Sequence, residues 1–189
     1  MMIRPAKYED SSGIARVQVD SYQTAYAGIF PSAYLDHFTY EEQTQDWQEI
    51  LSSETTDKIL FSTDPADKIV AYALGRPFIS DLPPYDSELV ALHVRPEYQK
   101  QGIGKRLIAT IAEALSESGC QSLFLWVLAR NPACQFYEKL GGERITEKPW
   151  QNNAYFKTEI VEVAYAWCDL HHLIRPGVMP TPQKRNFTS

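Results

Sequence analysis

The tightest constraint on this chain lies between residues 88 and 128, where a strand, a two-glycine turn, a helix and a second strand follow one another. Glu88-Leu89-Val90-Ala91-Leu92-His93-Val94 is rich in β-branched and aliphatic residues, bounded by polar and proline-containing segments, as a strand would be. Ile103, Leu107, Ile108, Ile111, Ala112 and Leu115 then recur at helical spacing, with Lys105, Arg106 and Glu113 off that stripe. Gly119 is placed to end the helix. Ser122-Leu123-Phe124-Leu125-Trp126-Val127-Leu128 is almost continuously apolar, which suits a strand covered on both faces. Two strands joined through such a helix form a right-handed parallel crossover.

The turn itself is Gln99-Lys100-Gln101-Gly102-Ile103-Gly104. A strand, a tight turn and a helix start gather free backbone N–H groups around one point, and the helix dipole adds partial positive charge there. Such a turn can receive a phosphate or pyrophosphate. Glycine serves because a Cβ would hold the ligand off the backbone and because these loops often need positive φ. An ordinary βα turn accounts for the same residues without a ligand. The P-loop pattern cannot be laid over them. The dinucleotide fingerprint also fails, because Leu107 occupies its third glycine position.

Length and composition set the frame. At 189 residues, 44% hydrophobic and 22% charged, the chain suits one soluble domain with a real core. A net charge of −6 without a basic block argues against a nucleic-acid partner and suits either a cationic substrate or simply a well-solvated surface. Cys120, Cys134 and Cys168 are odd in number and lack metal-ligand spacing, so they read as structural cysteines in a reducing cytosol, and no metal is expected. The N-terminus lacks a signal peptide's apolar run and no stretch is long enough to span a bilayer, so a cytoplasmic location without membrane association is expected.

Taken in order, Met2 to Ala6 opens as a first or edge strand, and Asp10 to Ser12 offer N-cap chemistry to a helix carrying Ile14, Val17, Val19, Tyr22, Ala25 and Tyr26. Gly28 breaks it, and Pro31 precedes a second helix expected over Ser32 to Leu51. Lys58 to Ser62 and Lys68 to Leu74 read as a hairpin, and Phe78 to Asp86 as a loop. Asn131-Pro132 opens another helix, ended by Gly141-Gly142. Arg144-Ile145 starts a short strand, Lys148 to Asn153 is a loop, and Ala154 to Trp167 forms a long final strand. From Leu170 the composition shifts to a tail that is either disordered or packed on a neighbour.

Two motifs in this order carry a resemblance. Gln-x-x-Gly-x-Gly at residues 99–104 follows a strand, and Asn131-Pro132-Ala133-Cys134-Gln135-Phe136-Tyr137-Glu138-Lys139-Leu140-Gly141 follows the next one. Together they resemble motifs A and B of the GNAT superfamily of N-acetyltransferases, with Gly142 in place of the usual aromatic. Tyr26-Ala27-Gly28-Ile29-Phe30-Pro31 is similar to a piece found in a bacterial subgroup. The resemblance covers residues 2 to 167 and implies an α/β (α+β) fold. That fold is a mixed central sheet of about seven strands, helices on both faces and splayed central parallel strands, in a single domain over 1–169 followed by a tail over 170–189.

The resemblance also implies roles. Loop amides of Gln99, Lys100, Gln101, Gly102, Ile103, Gly104 and Lys105 would hold the pyrophosphate of acetyl-CoA, and main-chain groups of Leu92, His93 and Val94 would pair with its pantetheine arm. Asn131 is expected either to contact that co-substrate or to cap its helix, and Lys100, Lys105 and Arg106 either to meet phosphates or to be solvated. Tyr26 and Phe30 would wall the acceptor pocket, although aromatics so spaced equally serve a core; Trp150, Tyr85, Asp81 and Asp86 are further candidates to shape it. Acyl transfer to an amine requires removal of a proton from an ammonium of pKa near ~10, stabilisation of the carbonyl oxygen and accommodation of the leaving thiolate. Tyr137 is the candidate general acid or one more core aromatic beside Phe136, and Glu88, at the strand start, the candidate general base or a solvent-facing polar residue. The expected activity is acetyl transfer by direct attack in a ternary complex, onto a small-molecule amine or a protein or peptide amine. A homodimer is compatible with this reading. The competing classes are a non-catalytic acyl-CoA-binding module on the same fold and a nucleotide-binding α/β protein.

Overall fold

The alternation of apolar runs and amphipathic stretches resolves, in a computed structural model describing residues 1–78, 85–150 and 160–174, into one sheet flanked by helices. The chain opens with β1 (Met2–Pro5), α1 (Ser11–Ala25), α2 (Ser32–Leu35) and α3 (Tyr40–Ser52). A run of three strands follows, β2 (Lys58–Thr63), β3 (Ile69–Pro77) and β4 (Ser87–Val94). Next come α4 (Ile103–Glu117), β5 (Leu123–Leu128), α5 (Ala133–Lys139), β6 (Glu143–Pro149), β7 (Val161–Trp167) and the single turn α6 (His171–Ile174).

The expected continuous helix over 32–51 is two helices. The first ends at Leu35 and Thr39 starts the second: its Oγ1 accepts the Glu42 N–H at 3.2 Å and in turn donates to the Glu42 carboxylate at 3.0 Å. This is an N-cap followed by Glu three residues on, which outcompetes helix continuation. Lys148 and Pro149, read as loop, end β6; the sheet order places β6 at an edge, where a missing N–H is tolerated. Of the expected last strand, Val161–Trp167 is a strand, and residues 154–159 lie outside the described residues. Leu170 and Leu173, at the start of the expected tail, are buried in the core, while 175–189 lie outside the described residues.

The sheet is mixed and seven-stranded, in the order β1-β2-β3-β4-β5-β7-β6. β4–β5 is its parallel pair; the neighbours on either side are antiparallel. On one face, α4 buries Leu107, Ile108, Ile111 and Leu115 against β2, β3 and β4, each such side chain contributing about 1.5–3 kcal/mol. Gly75 on β3 permits this approach, since a Cβ there would stand 2.5 Å from Ile111 Cγ2. On the other face, Ile14 and Val17 of α1 and Trp47 of α3 pack on Phe61, Tyr72 and Leu74. Among the described residues, no helix is long and apolar enough to cross a membrane.

What matters for the site is the seam between β4 and β5. Gly75 pairs with Leu89 but Leu74 pairs with Ala91, so Val90 is an extra residue on β4. Such a bulge bends the strand that carries it. Among the described residues, β4 and β5 then pair only at Glu88↔Phe124 and diverge beyond it.

Candidate active site

The divergence opens a cleft of about 980 Å³, running from the turn after β4, past the β4 edge, to the aromatic end of α1. Gly102 caps α4 with φ +80°, and Lys100 holds φ +59°, a left-handed conformation rare for a side chain with a Cβ. Gly104 faces Phe136, whose Cζ would lie 3.3 Å from an added Cβ. The first helical hydrogen bond runs from Arg106 N–H to the Gly102 carbonyl, and among the described residues no acceptor engages the N–H groups of residues 100 to 105. Gln99 and Gln101 brace this turn: their Nε2 groups donate to the Val94 carbonyl at 3.0 Å and the Glu97 carbonyl at 3.2 Å.

The cleft brings together Tyr26, Phe30, Leu92, His93, Val94, Gln99, Lys100, Gly102, Ile103, Gly104, Lys105, Asn131 and Tyr137. It does not include the side chain of Gln101, which turns back as just described. Arg106 reaches instead towards the Met1 carbonyl at 3.4 Å. Asn131 Oδ1 accepts the Ala133 N–H at 2.9 Å just ahead of α5, the local bond of the capping alternative, and the residue also lines the cleft.

Tyr137 stands at the junction of α5 with the sheet, 7% exposed, its ring 5.3 Å from Phe136 and 6.3 Å from Trp167. Its hydroxyl makes no hydrogen bond among the described residues, and burial pushes the phenol above its ordinary range. The group is therefore a protonated donor facing the cleft. His93 is enclosed between Tyr22 at 5.4 Å and Tyr72 at 5.2 Å, and burial pulls its imidazole down to about 4. It is neutral at pH 7.

Tyr26 and Phe30 belong to a larger assembly. Tyr22, Tyr26, Phe30, Tyr34 and Phe38 form a closed circuit with consecutive centroids 4.7–5.5 Å apart. Trp150 adds a ring 4.9 Å from Phe30. Phe30 also packs with Leu35, Leu128 and Ile160, so these rings are at once a small core and one wall of the cleft.

A smaller cavity of about 340 Å³ adjoins the fork, lined by Glu88, Leu89, Val90, Trp126, Lys148, Trp150 and Glu162. Glu88 Oε2 accepts from Arg76 Nε at 3.0 Å and from its terminal nitrogen at 2.7 Å, across the β3–β4 register. Glu162 was not singled out by sequence. It lines both cavities, and burial raises its carboxyl above the ordinary range against a smaller opposing pull from Lys148. The Lys148 ammonium lies 3.9 Å above the Trp126 ring. Phe136, part of the motif after β5, also lines the cleft, and Tyr22, Tyr34, Phe38 and Trp126 are further cleft residues that no motif marks.

Asp86 lines neither cavity as described: its carboxylate accepts the Ser122 N–H at 2.9 Å and the Gln121 N–H at 3.0 Å, tying the entry of β5 to that of β4. Tyr85 stacks 6.3 Å from Phe124, away from both cavities, and Asp81 lies outside the described residues. Burial raises the Cys120 and Cys134 thiols, the opposite of what a thiolate nucleophile needs. Among the described residues, no group of His, Cys, Asp or Glu is arranged to hold a metal.

This geometry has known counterparts. Residues 19–142 match the family described as "Acetyltransferase (GNAT) family". The uncharacterized N-acetyltransferase YuaI of Bacillus subtilis (strain 168) is 34% identical over 171 residues, covering 90% of this chain and 95% of that one. A spermidine N(1)-acetyltransferase of Thermoplasma acidophilum is 28% identical over 142 residues, 74% of this chain and 86% of that one. The crystal structure of PaiA N-acetyltransferase from Thermoplasma acidophilum in complex with coenzyme A superposes with a TM-score of 0.64 at 20% identity, over 86% of this chain and 96% of that one, a likeness of fold. The chain belongs to the acetyltransferase (GNAT) family, and with it to the acetyl-CoA-dependent N-acetyltransferases.

Proposed function

We propose that the protein transfers an acetyl group from acetyl-CoA to a primary amine by direct attack in a ternary complex. The observation that carries this reading is the fork: a β4 edge without a β5 partner leads into a turn whose amides are unengaged, with a protonated Tyr137 on the same cleft. The amides of residues 100–105 suit a diphosphate, and the edge of β4 at Leu92–Val94 suits the amides of a pantetheine arm, as an added strand would. The thioester then lies near Tyr137. The amine nitrogen attacks the carbonyl carbon, the C–S bond breaks, and the Tyr137 proton passes to the departing sulfur.

The acceptor enters from the smaller cavity, which presents two carboxylates and two indoles. Carboxylates and aromatic faces both favour an alkylammonium over a neutral or anionic acceptor. The amine-side proton goes to a carboxylate of this cavity, for which Glu88 is the candidate that the family resemblance implies. A spermidine acetyltransferase and a ribosomal protein bS18 alanine acetyltransferase among the relatives span the small-molecule and protein acceptors that the proposal admits. The free cysteines fit a reducing cytoplasm.

Calorimetry with coenzyme A, ATP and NAD tests the reading. Heat from coenzyme A alone is expected; heat from ATP or NAD alone would return the turn to a nucleotide-binding class. Acetyl-CoA-dependent acetylation of an amine then separates an enzyme from a binding module.

A further inference from the structure

We infer that Glu162, where the two cavities meet, is the carboxylate that receives the acceptor ammonium and takes its proton; this deepens, and rests on, the acetyl-transfer reading above. The order β5-β7-β6 sets Glu162 opposite Leu128 on one side and Lys148 on the other, on the sheet face that also carries Trp126. Its side chain is 17% exposed and accepts no hydrogen bond among the described residues. A carboxylate that enclosed ordinarily recruits donors, because leaving it without them costs free energy. The nearest cation, the Lys148 ammonium, is 3.9 Å from Oε2, beyond hydrogen-bond distance.

That same ammonium lies 3.9 Å above the Trp126 ring. The protein's own lysine thus displays the chemistry of the proposed acceptor: a primary alkylammonium between an indole face and a carboxylate. The groups facing Glu162 are Lys148 from β6, Tyr26 from the end of α1, and Glu88 with its Arg76 across the smaller cavity. Tyr26 lines the larger cavity together with Tyr137 and Glu162. Glu88 differs on each point, since Arg76 takes its Oε2 twice and it does not reach the cleft that holds Tyr137. Its place is at the boundary of the acceptor site.

The proton account closes. One ammonium proton passes to Glu162 and on to solvent, leaving a neutral amine. As the C–N bond forms and the C–S bond breaks, Tyr137 protonates the sulfur, and the second proton lost from nitrogen restores Tyr137. The products are the amide, free coenzyme A and one proton in solution.

The experiment measures acetylation from pH 6 to pH 9.5 with spermidine, n-hexylamine and lysine methyl ester as probes, beside coenzyme A binding by calorimetry. For Glu162→Gln we expect unchanged coenzyme A affinity, an amine KM raised at least ~10-fold, and a rate deficit that is largest at low pH and shrinks as the amine deprotonates in solution. Glu162→Asp should restore part of the rate. Lys148→Met should lower the amine KM, because the competing internal cation is gone; a purely structural Glu162 would not produce that gain. A wild-type pH profile in Glu162→Gln, transfer of the acidic limb to Glu88→Gln, or failure of wild type to acetylate any probe while binding coenzyme A would each overturn the assignment. Absence of coenzyme A binding in wild type would instead overturn the acetyl-transfer reading beneath it.

Discussion

Replacing Tyr137 by Phe removes one oxygen and leaves the ring in place, so it separates chemistry from packing. The ring keeps its neighbours Phe136, Tyr165 and Trp167, with centroids 5.3–6.3 Å away. The lost hydroxyl has no hydrogen-bond partner among the described residues, so nothing in the fold is left unsatisfied, and stability should move by less than ~0.5 kcal/mol. On a chain of this length that is a shift of about 1–2 °C in the unfolding midpoint. Coenzyme A affinity should stay within about twofold, because the amides that would grip it are a separate element. Turnover should fall by about 10²–10⁴, the usual worth of a positioned general acid, or about 2.7–5.5 kcal/mol of barrier. Burial holds the wild-type phenol above its ordinary range. The acid form therefore persists across neutral and mildly alkaline pH, and no falling limb below about pH 10 should be traceable to it. Steady-state kinetics with calorimetry and a thermal melt read all four quantities. Wild-type kcat in the variant would refute the acid role, and equal losses of turnover and stability would reduce Tyr137 to a packing residue.

Gly142→Ala should destabilise by about 1–3 kcal/mol, because a Cβ there would meet Trp167 Cζ2 at 2.7 Å and the Tyr137 carbonyl at 3.0 Å, and the Trp167 indole is pinned by its 3.0 Å bond to Leu140. An unchanged melting midpoint would show that Trp167 can give way. His93, pulled down from 6.5 to about 4, binds fewer protons folded than unfolded. Its contribution is complete above pH 6.5 and is lost as pH falls towards 4, about 3 kcal/mol over the window. Urea titrations at pH 7 and pH 4.5 should show that loss in wild type and a smaller one in His93→Gln; parallel losses would clear His93. Lys100→Gly should relieve a left-handed φ of +59° and stabilise by up to about 1 kcal/mol, read as a raised midpoint; a lowered one would mean the turn is unstrained.

Local, periodic signals were the legible ones. The stripe of α4, Gly102 at its cap and Asn131 at the start of α5 each act within a few residues, and the structure places them as their spacing requires. Thr39 followed by Glu42 carried the same kind of local signal, and reading it would have split the helix over 32–51. The turn from Gly141 to Gly142 shows why the usual aromatic is missing: the Trp167 ring from β7 occupies that space. Arg76 with Glu88, Asp86 with Ser122, and Glu162 at the cleft depend on which strand lies beside which. The chain runs β6 before β7, yet β7 lies inside next to β5, and no local pattern near Glu162 announces that exchange.

The bulge at Val90 joins these observations into one physical statement. A parallel pair in mid-sheet normally satisfies its backbone groups along its whole length, and giving up a stretch of it is costly unless something else takes the bonds. Here the extra residue on β4 removes β5 from reach, and Val90 itself stays 43% exposed on both cavities. Folding therefore leaves a row of main-chain donors and acceptors at the centre of the sheet, open on the side where Tyr137 and Glu162 stand. An extended ligand rich in amides can pair with that row, and few other small molecules can. On the proposed reading, the seam that weakens the sheet would also select the acyl carrier, and its reactive end would lie where β4 and β5 part.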